Sequence, residues 1–137
     1  ATRNIELVYE SIRPVTAEVD EMKISLAISN LVENAIKYNH KGGEVVFTIS
    51  KMNDYPIVIV EDTGIGIPKE DLKLIWDRFY KSDLSRGKDK KGTGLGLSIV
   101  KEIINAHDEH INVISTPGVG SEFIFSLPKS HQEDEED

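Results

Sequence analysis

Six short segments of the 137-residue chain show a pattern in which apolar and polar side chains alternate, as over residues 4–10, or in which β-branched residues form a run, as over residues 45–50 and 57–61. This pattern is typical of β-strands. Asn53-Asp54-Tyr55-Pro56 separates the third segment from the fourth and is predicted to form a turn, which makes those two strands antiparallel neighbours. The last two segments are predicted to close as a hairpin around residues 117–120. The predicted strands are 4–10, 15–19, 45–50, 57–61, 111–115 and 122–127.

Apolar residues recur at helical spacing in two longer segments. Asp20 is a suitable N-cap for a helix that runs to about Tyr38, and a second long helix is predicted over residues 96–107. A short helix is expected to begin at Pro68. This order of elements predicts an α+β fold, a two-layer sandwich in which a mixed sheet carries its helices on one face.

The first long helix has two distinct stripes. The apolar one, expected to face the sheet, consists of Ile24, Ile28, Leu31, Val32, Ala35 and Ile36. The polar one consists of Asn30, Asn34, Lys37 and Tyr38. Asparagine is unfavourable inside a helix because its amide competes for backbone hydrogen bonds. The polar stripe could therefore be one wall of a ligand cleft or a plain exposed face, and the helix alone does not decide between them.

A glycine-rich segment, Asp62-Thr63-Gly64-Ile65-Gly66-Ile67, follows the apolar strand at 57–61. A partly buried carboxylate at the end of a strand can accept a hydrogen bond from the exocyclic amine of adenine. Gly64 and Gly66 allow a sharp turn and a close approach to the base. A plain strand-to-helix turn would use the same residues.

A second glycine-rich segment, Gly92-Thr93-Gly94-Leu95-Gly96, opens the second long helix. Backbone N–H groups that converge at a helix N-terminus suit phosphate oxygens. Other phosphate-binding patterns fit less well, because the segment lacks the Gly-Lys-Ser/Thr ending of the Walker type and does not directly follow a strand as a dinucleotide fingerprint does. The sequence motifs of eukaryotic-type protein kinases are absent as well.

Charge and composition limit the possible partners. The formal net charge is −8, and it falls to −3 when the five acidic residues at positions 133–137 are left out. We therefore expect a folded domain over residues 1–128 and an acidic, disordered tail over 129–137. An acidic body argues against nucleic acid as a partner. The chain has no cysteine, and no apolar run has the length of a membrane span, so a soluble domain is expected.

In their order, the three motifs resemble those of the ATP-binding catalytic domain of bacterial sensor histidine kinases. This family shares its fold with DNA gyrase, the ninety-kilodalton heat-shock chaperone and the mismatch-repair ATPases. The resemblance runs from about residue 4 to residue 128. It implies that the domain binds ATP with Mg²⁺ and supplies the γ-phosphoryl group to a histidine on another domain.

The resemblance also implies a role for each motif. Residues 30–38 resemble the asparagine box, in which Asn34 would hold Mg²⁺. Asn30 and Lys37 would reach the phosphates, and Tyr38 would line the nucleotide. Residues 60–68 resemble the first glycine box, in which Asp62 would bind adenine. The other implied nucleotide-binding residues of that box and of the closing hairpin are Gly64, Gly66, Ile67 and Ser121.

Residues 75–81 resemble the phenylalanine box, and residues 92–98 resemble the second glycine box. Between them lies a basic lid, in which Lys81 and Arg86 would contact the terminal phosphate and stabilise it during transfer. No catalytic base is assigned in this chain. The nucleotide-binding residues that these boxes imply are Ile75, Phe79, Tyr80, Lys81, Arg86, Gly92, Thr93, Gly94, Leu95, Gly96 and Leu97.

Departures from the family pattern are few. Trp76 and Lys81 stand where Phe and Arg are more usual, and Lys loses the bidentate geometry that Arg offers to phosphate. Asp108-Glu109 replaces a common Gly-Gly in a surface turn. Asn30 stands where the hydrolysing relatives carry a Glu that serves as general base for water, which favours phosphoryl transfer over rapid ATP hydrolysis.

The family's phosphoacceptor motif is missing, since none of the four histidines (His40, His107, His110, His131) has its sequence context. The expected partners are thus the phosphoacceptor dimerisation domain of the same kinase and, indirectly, a response regulator. We expect a cytoplasmic domain without membrane contact of its own, cut from a membrane-anchored parent protein. Two alternatives remain open: a stand-alone serine kinase of the anti-sigma type, and a nucleotide-responsive interaction module without phosphoryl transfer.

Overall fold

In the described part of the computed structural model, five strands form one sheet with the order β1-β2-β3-β5-β4. The structure describes residues 6–11, 20–77 and 96–128, the first range by its backbone alone. The predicted strand at 15–19, the whole segment between the phenylalanine and second glycine boxes, and the acidic tail lie outside these ranges. The elements are β1 (Glu6–Ser11), α1 (Glu21–Lys37), β2 (Glu44–Met52), β3 (Tyr55–Asp62), a 3₁₀ turn (Lys69–Asp71), α2 (Gly96–Ala106), β4 (Ile111–Thr116) and β5 (Gly120–Ser126).

The sheet is mixed, as predicted. β1 pairs in parallel with β2, whereas the pairs β2–β3, β3–β5 and β4–β5 are antiparallel. Because β5 inserts between β3 and β4, the end of β3 and the start of β5 lie side by side in the middle of the sheet. Asp62 and Ser121 are direct partners in that register. The topology thus brings the first glycine box to the closing hairpin.

The turn between β2 and β3 is tighter than predicted. Tyr55 and Pro56 belong to β3, where they pair with Met52 and Lys51. The turn itself consists of Asn53 and Asp54, whose φ angles of +52° and +69° are left-handed. Asn and Asp tolerate that conformation better than other residues with a side chain, and two such residues make the hairpin turn that matches the twist of a sheet. The predicted four-residue turn at 53–56 was therefore wrong in its second half.

Helix α1 begins and packs as its sequence predicts. The Asp20 side chain accepts a hydrogen bond from the Lys23 N–H at 3.1 Å and caps the first turn. The predicted apolar stripe lies against the sheet, and Ala27, which the prediction omitted, is fully buried with it. The buried members are Ile24, Ala27, Leu31 and Ala35, with Ile28, Val32 and Ile36 partly buried beside them.

Both long helices cover the same face of the sheet, and α2 packs beside α1. The core between the layers contains Val45 of β2, Val60 of β3 and Phe123 of β5, which all point to that face. Val100 and Ile104 supply the apolar side of α2. The predicted two-layer α+β sandwich is confirmed.

The segment after Pro68 forms only one 3₁₀ turn, followed by further turns up to Asp77. Ile75 reaches into the core, and the ring of Trp76 meets that of Phe123 edge to face at 5.9 Å. These two side chains therefore anchor the segment to the sheet, although a regular α-helix does not form in its described part.

Candidate functional site

Asp62 lies at the end of β3, between Val45 of β2 and Ser121 of β5. Its carboxylate atom Oδ1 accepts a hydrogen bond from the Gly64 N–H at 2.8 Å and another from the Ser121 N–H at 3.3 Å. Within the described ranges, no group donates to Oδ2. Two backbone donors thus fix the orientation of the carboxylate, and its second oxygen is left to accept from a ligand.

Burial raises the pKa of the Asp62 carboxyl above its ordinary value. The hydrogen bonds from Gly64 and Ser121 act in the opposite direction because they favour the ionised form, and the nearby charge of Glu61 raises the pKa further. A half-buried carboxylate with fixed orientation and a perturbed pKa is typical of a binding site.

The first glycine box lies between the end of α1 and the β4–β5 hairpin. The Ile65 N–H donates to the Tyr38 carbonyl at 3.0 Å, and a Cβ atom on Gly64 would lie 2.6 Å from the same oxygen. Gly66 has a φ of +74°, and a Cβ atom there would overlap the backbone of Thr116. Only glycine fits at positions 64 and 66. The close packing that these glycines allow brings Asp62 next to the C-terminal end of α1.

A pair of serine hydroxyls supports the other side of this box. The Ile67 N–H donates to Ser115 Oγ at 2.7 Å. Ser115 Oγ lies 2.8 Å from Ser121 Oγ and 3.1 Å from the Gly120 carbonyl oxygen. The predicted residues Asp62, Ile67 and Ser121 are therefore joined in one hydrogen-bonded network. Ser115, which the sequence analysis did not select, lies at its centre.

The polar stripe of α1 is half-buried, as a cleft wall requires. Asn30 and Asn34 have intermediate exposure, and their side-chain amides have no partner among the described residues. A half-buried amide without a partner among the described residues has the hydrogen-bonding capacity that a ligand contact needs. The ammonium group of Lys37 lies over the ring of Tyr38, 5.7 Å from its centre. A phosphate contact by Lys37 would require that this cation–π contact be given up or shared.

Three predicted apolar contact residues have packing roles. Ile75 is only 1% exposed and belongs to the core, so the described structure gives it no surface on which a nucleotide could rest. Ile67 and Leu97 are partly buried against the same core, and each keeps some exposed surface. Gly96 is the first residue of α2, and a Cβ atom there would meet nothing within 4 Å. Of these four residues, Ile75 is the one whose predicted nucleotide contact the structure does not support.

The remaining predicted site residues lie outside the described ranges. They include both candidates for stabilising the terminal phosphate and most of the second glycine box. They are Phe79, Tyr80, Lys81, Arg86, Gly92, Thr93, Gly94 and Leu95. Their roles stay predictions.

Asn39 is a buried residue that the sequence analysis missed, with an exposed fraction of 5%. Its Nδ2 atom donates to the Glu44 carbonyl at 3.1 Å, and its Oδ1 atom accepts from the His40 N–H at 2.9 Å. A Cβ atom on Gly43 would overlap the Asn39 side chain. The Asn-x-x-x-Gly spacing after the helix was the available signal. Asn39 fixes the link from α1 to β2 beside the site.

A surface groove of about 250 Å³ also borders Asp62, Ser115 and Ser121. The rest of its lining comes from strand ends and loops, including Glu61 and Ile114, and none of it comes from α1. Because the polar stripe of α1 does not line this groove, we do not assign the groove as the nucleotide site.

No group of three or more His, Cys, Asp or Glu side chains within residues 20–77 and 96–128 is arranged to hold a metal ion. No helix in the described ranges is long and apolar enough to cross a membrane.

Comparison with known proteins identifies the class to which this fold and site belong. The profile of the histidine kinase-, DNA gyrase B- and HSP90-like ATPase family matches residues 19–131. The chain therefore belongs to this family, and the resemblance inferred from the three motifs is confirmed.

Within the family, the chain is homologous to sensor histidine kinases. It is 41% identical over 128 residues to the sensor histidine kinase WalK of Bacillus subtilis, an alignment that covers 91% of this chain and 21% of WalK. It is 40% identical over 126 residues to the sensor protein SrrB of Staphylococcus aureus, covering 92% of this chain and 21% of SrrB. The chain thus spans about a fifth of the length of these relatives.

Solved structures give the same result. The catalytic domain of histidine kinase ThkA superimposes with a TM-score of 0.79 at 32% identity, over 93% of this chain and 82% of that one. Full-length ShkA, solved in complex with AMPPNP, matches with a TM-score of 0.80 at 29% identity, over 92% of this chain and 26% of that one. By sequence and fold, the chain corresponds to the ATP-binding catalytic domain of a two-component histidine kinase.

Proposed function

We propose that this domain binds Mg²⁺-ATP in the cleft between α1 and the first glycine box, and that it supplies the γ-phosphoryl group to a histidine on a helical-hairpin domain of the same kinase. The main support is the arrangement of Asp62, whose Oδ1 atom is held by the N–H groups of Gly64 and Ser121. Its Oδ2 atom accepts a hydrogen bond from the exocyclic amine of adenine. The two backbone donors hold the carboxylate in this orientation before ATP binds.

The polar stripe of α1 would bind the other end of the nucleotide, the phosphates. The half-buried Asn34 amide oxygen is a hard ligand of the kind that Mg²⁺ accepts, and Asn30 lies one turn earlier on the same helix. Asn34 would hold the ion, and Mg²⁺ bound there with the phosphates would supply the positive charge that phosphoryl transfer requires. Since α1 carries an amide at position 30 instead of a carboxylate, it offers no general base there to activate water. Transfer to a protein acceptor is therefore favoured over hydrolysis.

Calorimetric titration tests the binding step. We expect the parent domain to bind ATP and ADP with Mg²⁺ at dissociation constants below 1 mM, in the range common for enzyme substrates. Asn34→Ala should lose most of the Mg²⁺-dependent part of this affinity. Asn105→Ala is the matched control, because it removes the same side chain from an exposed position on α2. The proposal would be overturned if the parent domain bound neither ATP nor ADP at millimolar concentrations.

Phosphoryl transfer is tested separately. The domain is mixed with the helical-hairpin domain of its parent kinase and with γ-labelled ATP, and the label should appear on the hairpin as an acid-labile phosphohistidine. A hairpin with its acceptor histidine changed to glutamine is the control. Binding without any transfer would support the interaction module instead. The relatives found are sensor kinases, which argues against the anti-sigma alternative.

The place of the domain in the cell follows from the same proposal. It works in the cytoplasm beside the phosphoacceptor dimerisation domain of its own kinase, from which a response regulator then takes the phosphoryl group. The parent kinase is anchored in the membrane by segments outside this chain. Fractionation of cells that express the full-length gene should place the kinase in the membrane fraction, and recovery in the soluble fraction would contradict the anchoring.

A further inference from the structure

Asn39 is a buried polar residue in the link between α1 and β2, and both polar atoms of its side chain form hydrogen bonds. Its Nδ2 atom donates to the Glu44 carbonyl oxygen, and its Oδ1 atom accepts from the His40 N–H. The Gly43 N–H donates to the His40 carbonyl oxygen at 3.0 Å, which closes the link as a tight turn. The Asn39 side chain therefore joins the start of this turn to the first residue of β2.

The same link holds the first glycine box at two places. The Glu44 carbonyl oxygen, which accepts from Asn39, also accepts from the Thr63 N–H at 3.1 Å. The Thr63 hydroxyl in turn accepts from the Glu44 N–H at 2.8 Å. At the other place, the Ile65 N–H donates to the Tyr38 carbonyl oxygen at 3.0 Å. The backbone of the box is thus held by the two residues that the Asn39 side chain and its turn keep in place.

We propose that Asn39 is a positioning residue for nucleotide binding, whose side chain fixes the link between α1 and β2 and thereby holds the first glycine box, with Asp62, in the geometry that the base requires. The inference rests on the proposed function, because it concerns the same nucleotide. With an exposed fraction of 5%, Asn39 offers a ligand almost no surface, so it acts through these backbone contacts. Without its side chain, the link and the box would have to be ordered when the nucleotide binds, and that ordering weakens binding.

The test uses three ligands: Mg²⁺-ADP, adenosine, which lacks the phosphates, and Mg²⁺-pyrophosphate, which lacks the base. Asn39→Ala should weaken ADP binding about tenfold, the equivalent of roughly one hydrogen bond. Adenosine should weaken by the same factor, and pyrophosphate should not change, because Asn30 and Asn34 lie within α1, before the link. Titrations are run at a temperature at which urea denaturation shows every variant to be fully folded. Asn105→Ala, which removes an exposed amide from α2, is the matched control and should leave all three affinities unchanged.

Gly43 provides an independent variant, which also serves if Asn39→Ala does not fold. Its φ angle is not left-handed, but a Cβ atom there would overlap Asn39 Oδ1 and would lie 2.6 Å from Asn39 Cγ. Gly43→Ala should therefore displace the Asn39 side chain and reproduce the loss of ADP and adenosine affinity. In an Asn39→Ala background, Gly43→Ala should cause no further loss, because the atoms that its Cβ overlaps are gone. Additive losses would overturn the inference, since Gly43 would then act without Asn39.

A purely structural role for Asn39 would lower the free energy of unfolding and leave the affinities of the folded domain unchanged, and that result would also overturn the inference. So would an equal loss for all three ligands, because the whole cleft would then be disturbed. Amide hydrogen exchange at Ile65 tests the positioning without a ligand. It should be faster in Asn39→Ala than in the parent and in Asn105→Ala, and equal rates would contradict the proposal. If the parent domain binds no adenine nucleotide, the proposed function fails, while the exchange at Ile65 still decides whether Asn39 holds the glycine box.

Discussion

Gly120 lies directly against the backbone of Asp62: a Cβ atom at Gly120 would overlap the Asp62 carbonyl oxygen and would lie 2.9 Å from the carbonyl carbon. The φ of Gly120 is +148°, a conformation that residues with a side chain rarely adopt. The hairpin therefore approaches the strand that carries the candidate adenine ligand as closely as a backbone can.

Gly120→Ala should reduce the free energy of unfolding by about 2–4 kcal/mol, since backbone strain and overlap with Asp62 act together. Urea denaturation measures this change. Gly118→Ala is the matched control, because Gly118 is also left-handed, with a φ of +79°, but a Cβ atom there would meet nothing within 4 Å. It should cost only about 1 kcal/mol. Equal losses in the two variants would show that the contact with Asp62 contributes nothing.

Asp62→Asn should separate binding from stability. The Asn side chain can still accept from the Gly64 and Ser121 N–H groups, but it can place an NH₂ group where Oδ2 now lies. Two donors would then face each other when adenine binds, so ATP affinity should fall roughly tenfold to a hundredfold. Calorimetry with ATP measures the loss. If Asp62→Asn bound ATP as tightly as the parent does, Asp62 would not be a nucleotide-binding residue.

The raised pKa of Asp62 also predicts how the stability of the free domain depends on pH. The folded chain holds the Asp62 proton more tightly than the unfolded chain does, so ionisation costs folding free energy. The favourable contribution is present below about pH 4, the ordinary range of an aspartate, and is lost as the pH rises through the raised value. At pH 7, Asp62→Asn should therefore be at least as stable as the parent, and this advantage should shrink at pH 3.5. If the stability advantage of Asp62→Asn grew towards low pH, the pKa of Asp62 would be lowered in the folded domain and not raised.

The elements of this fold could be predicted from the sequence because most depend on local patterns. Runs rich in β-branched residues predicted β2 and β3, the turn residues at 117–120 predicted the hairpin of β4 and β5, and the cap at Asp20 with its apolar stripe predicted α1. The exact turn between β2 and β3 could not be predicted, because Tyr55 and Pro56 fit both a turn and an edge of a strand. Their place in β3 depends on pairing with Lys51 and Met52, which is set by the register of the whole sheet.

Candidate site residues could be selected from the sequence where a residue type is unusual in its context, as with the asparagines inside α1 and the carboxylate at the end of a strand. Ser115 gave no such signal, because a serine in a β-strand reads as an ordinary solvent-facing residue. Its role depends on the contacts with Ile67 and Ser121, which lie far from it in sequence or across the hairpin. Tertiary hydrogen bonds of this kind leave no local pattern.

Helix α2 ends with a residue that is poorly suited to its backbone. The Asp108 N–H donates to the Asn105 carbonyl at 2.9 Å and the Glu109 N–H to the Ile104 carbonyl at 3.2 Å, which together form a Schellman motif. Asp108 has a φ of +59°, where glycine is usual. Asp108→Gly should therefore raise the free energy of unfolding by about 0.5–1 kcal/mol. Asp108→Ala, measured by the same urea denaturation, should bring no gain, and a gain in both variants would assign the effect to the lost charge instead.

A histidine joins the end of α2 to the start of α1. His107 Nε2 accepts a hydrogen bond from the Asp20 N–H at 3.0 Å, so the ring proton of the neutral imidazole lies on Nδ1, which donates to the Ile103 carbonyl at 2.9 Å. Losing both bonds in His107→Ala should cost about 1–2 kcal/mol of unfolding free energy. His110→Ala is the matched control, because His110 is exposed and forms no hydrogen bond with the described residues. Its effect should stay within about 0.5 kcal/mol. Amide hydrogen exchange at Asp20 should become faster in His107→Ala alone, and equal exchange in the two variants would show that the bridge between the helices is absent in solution.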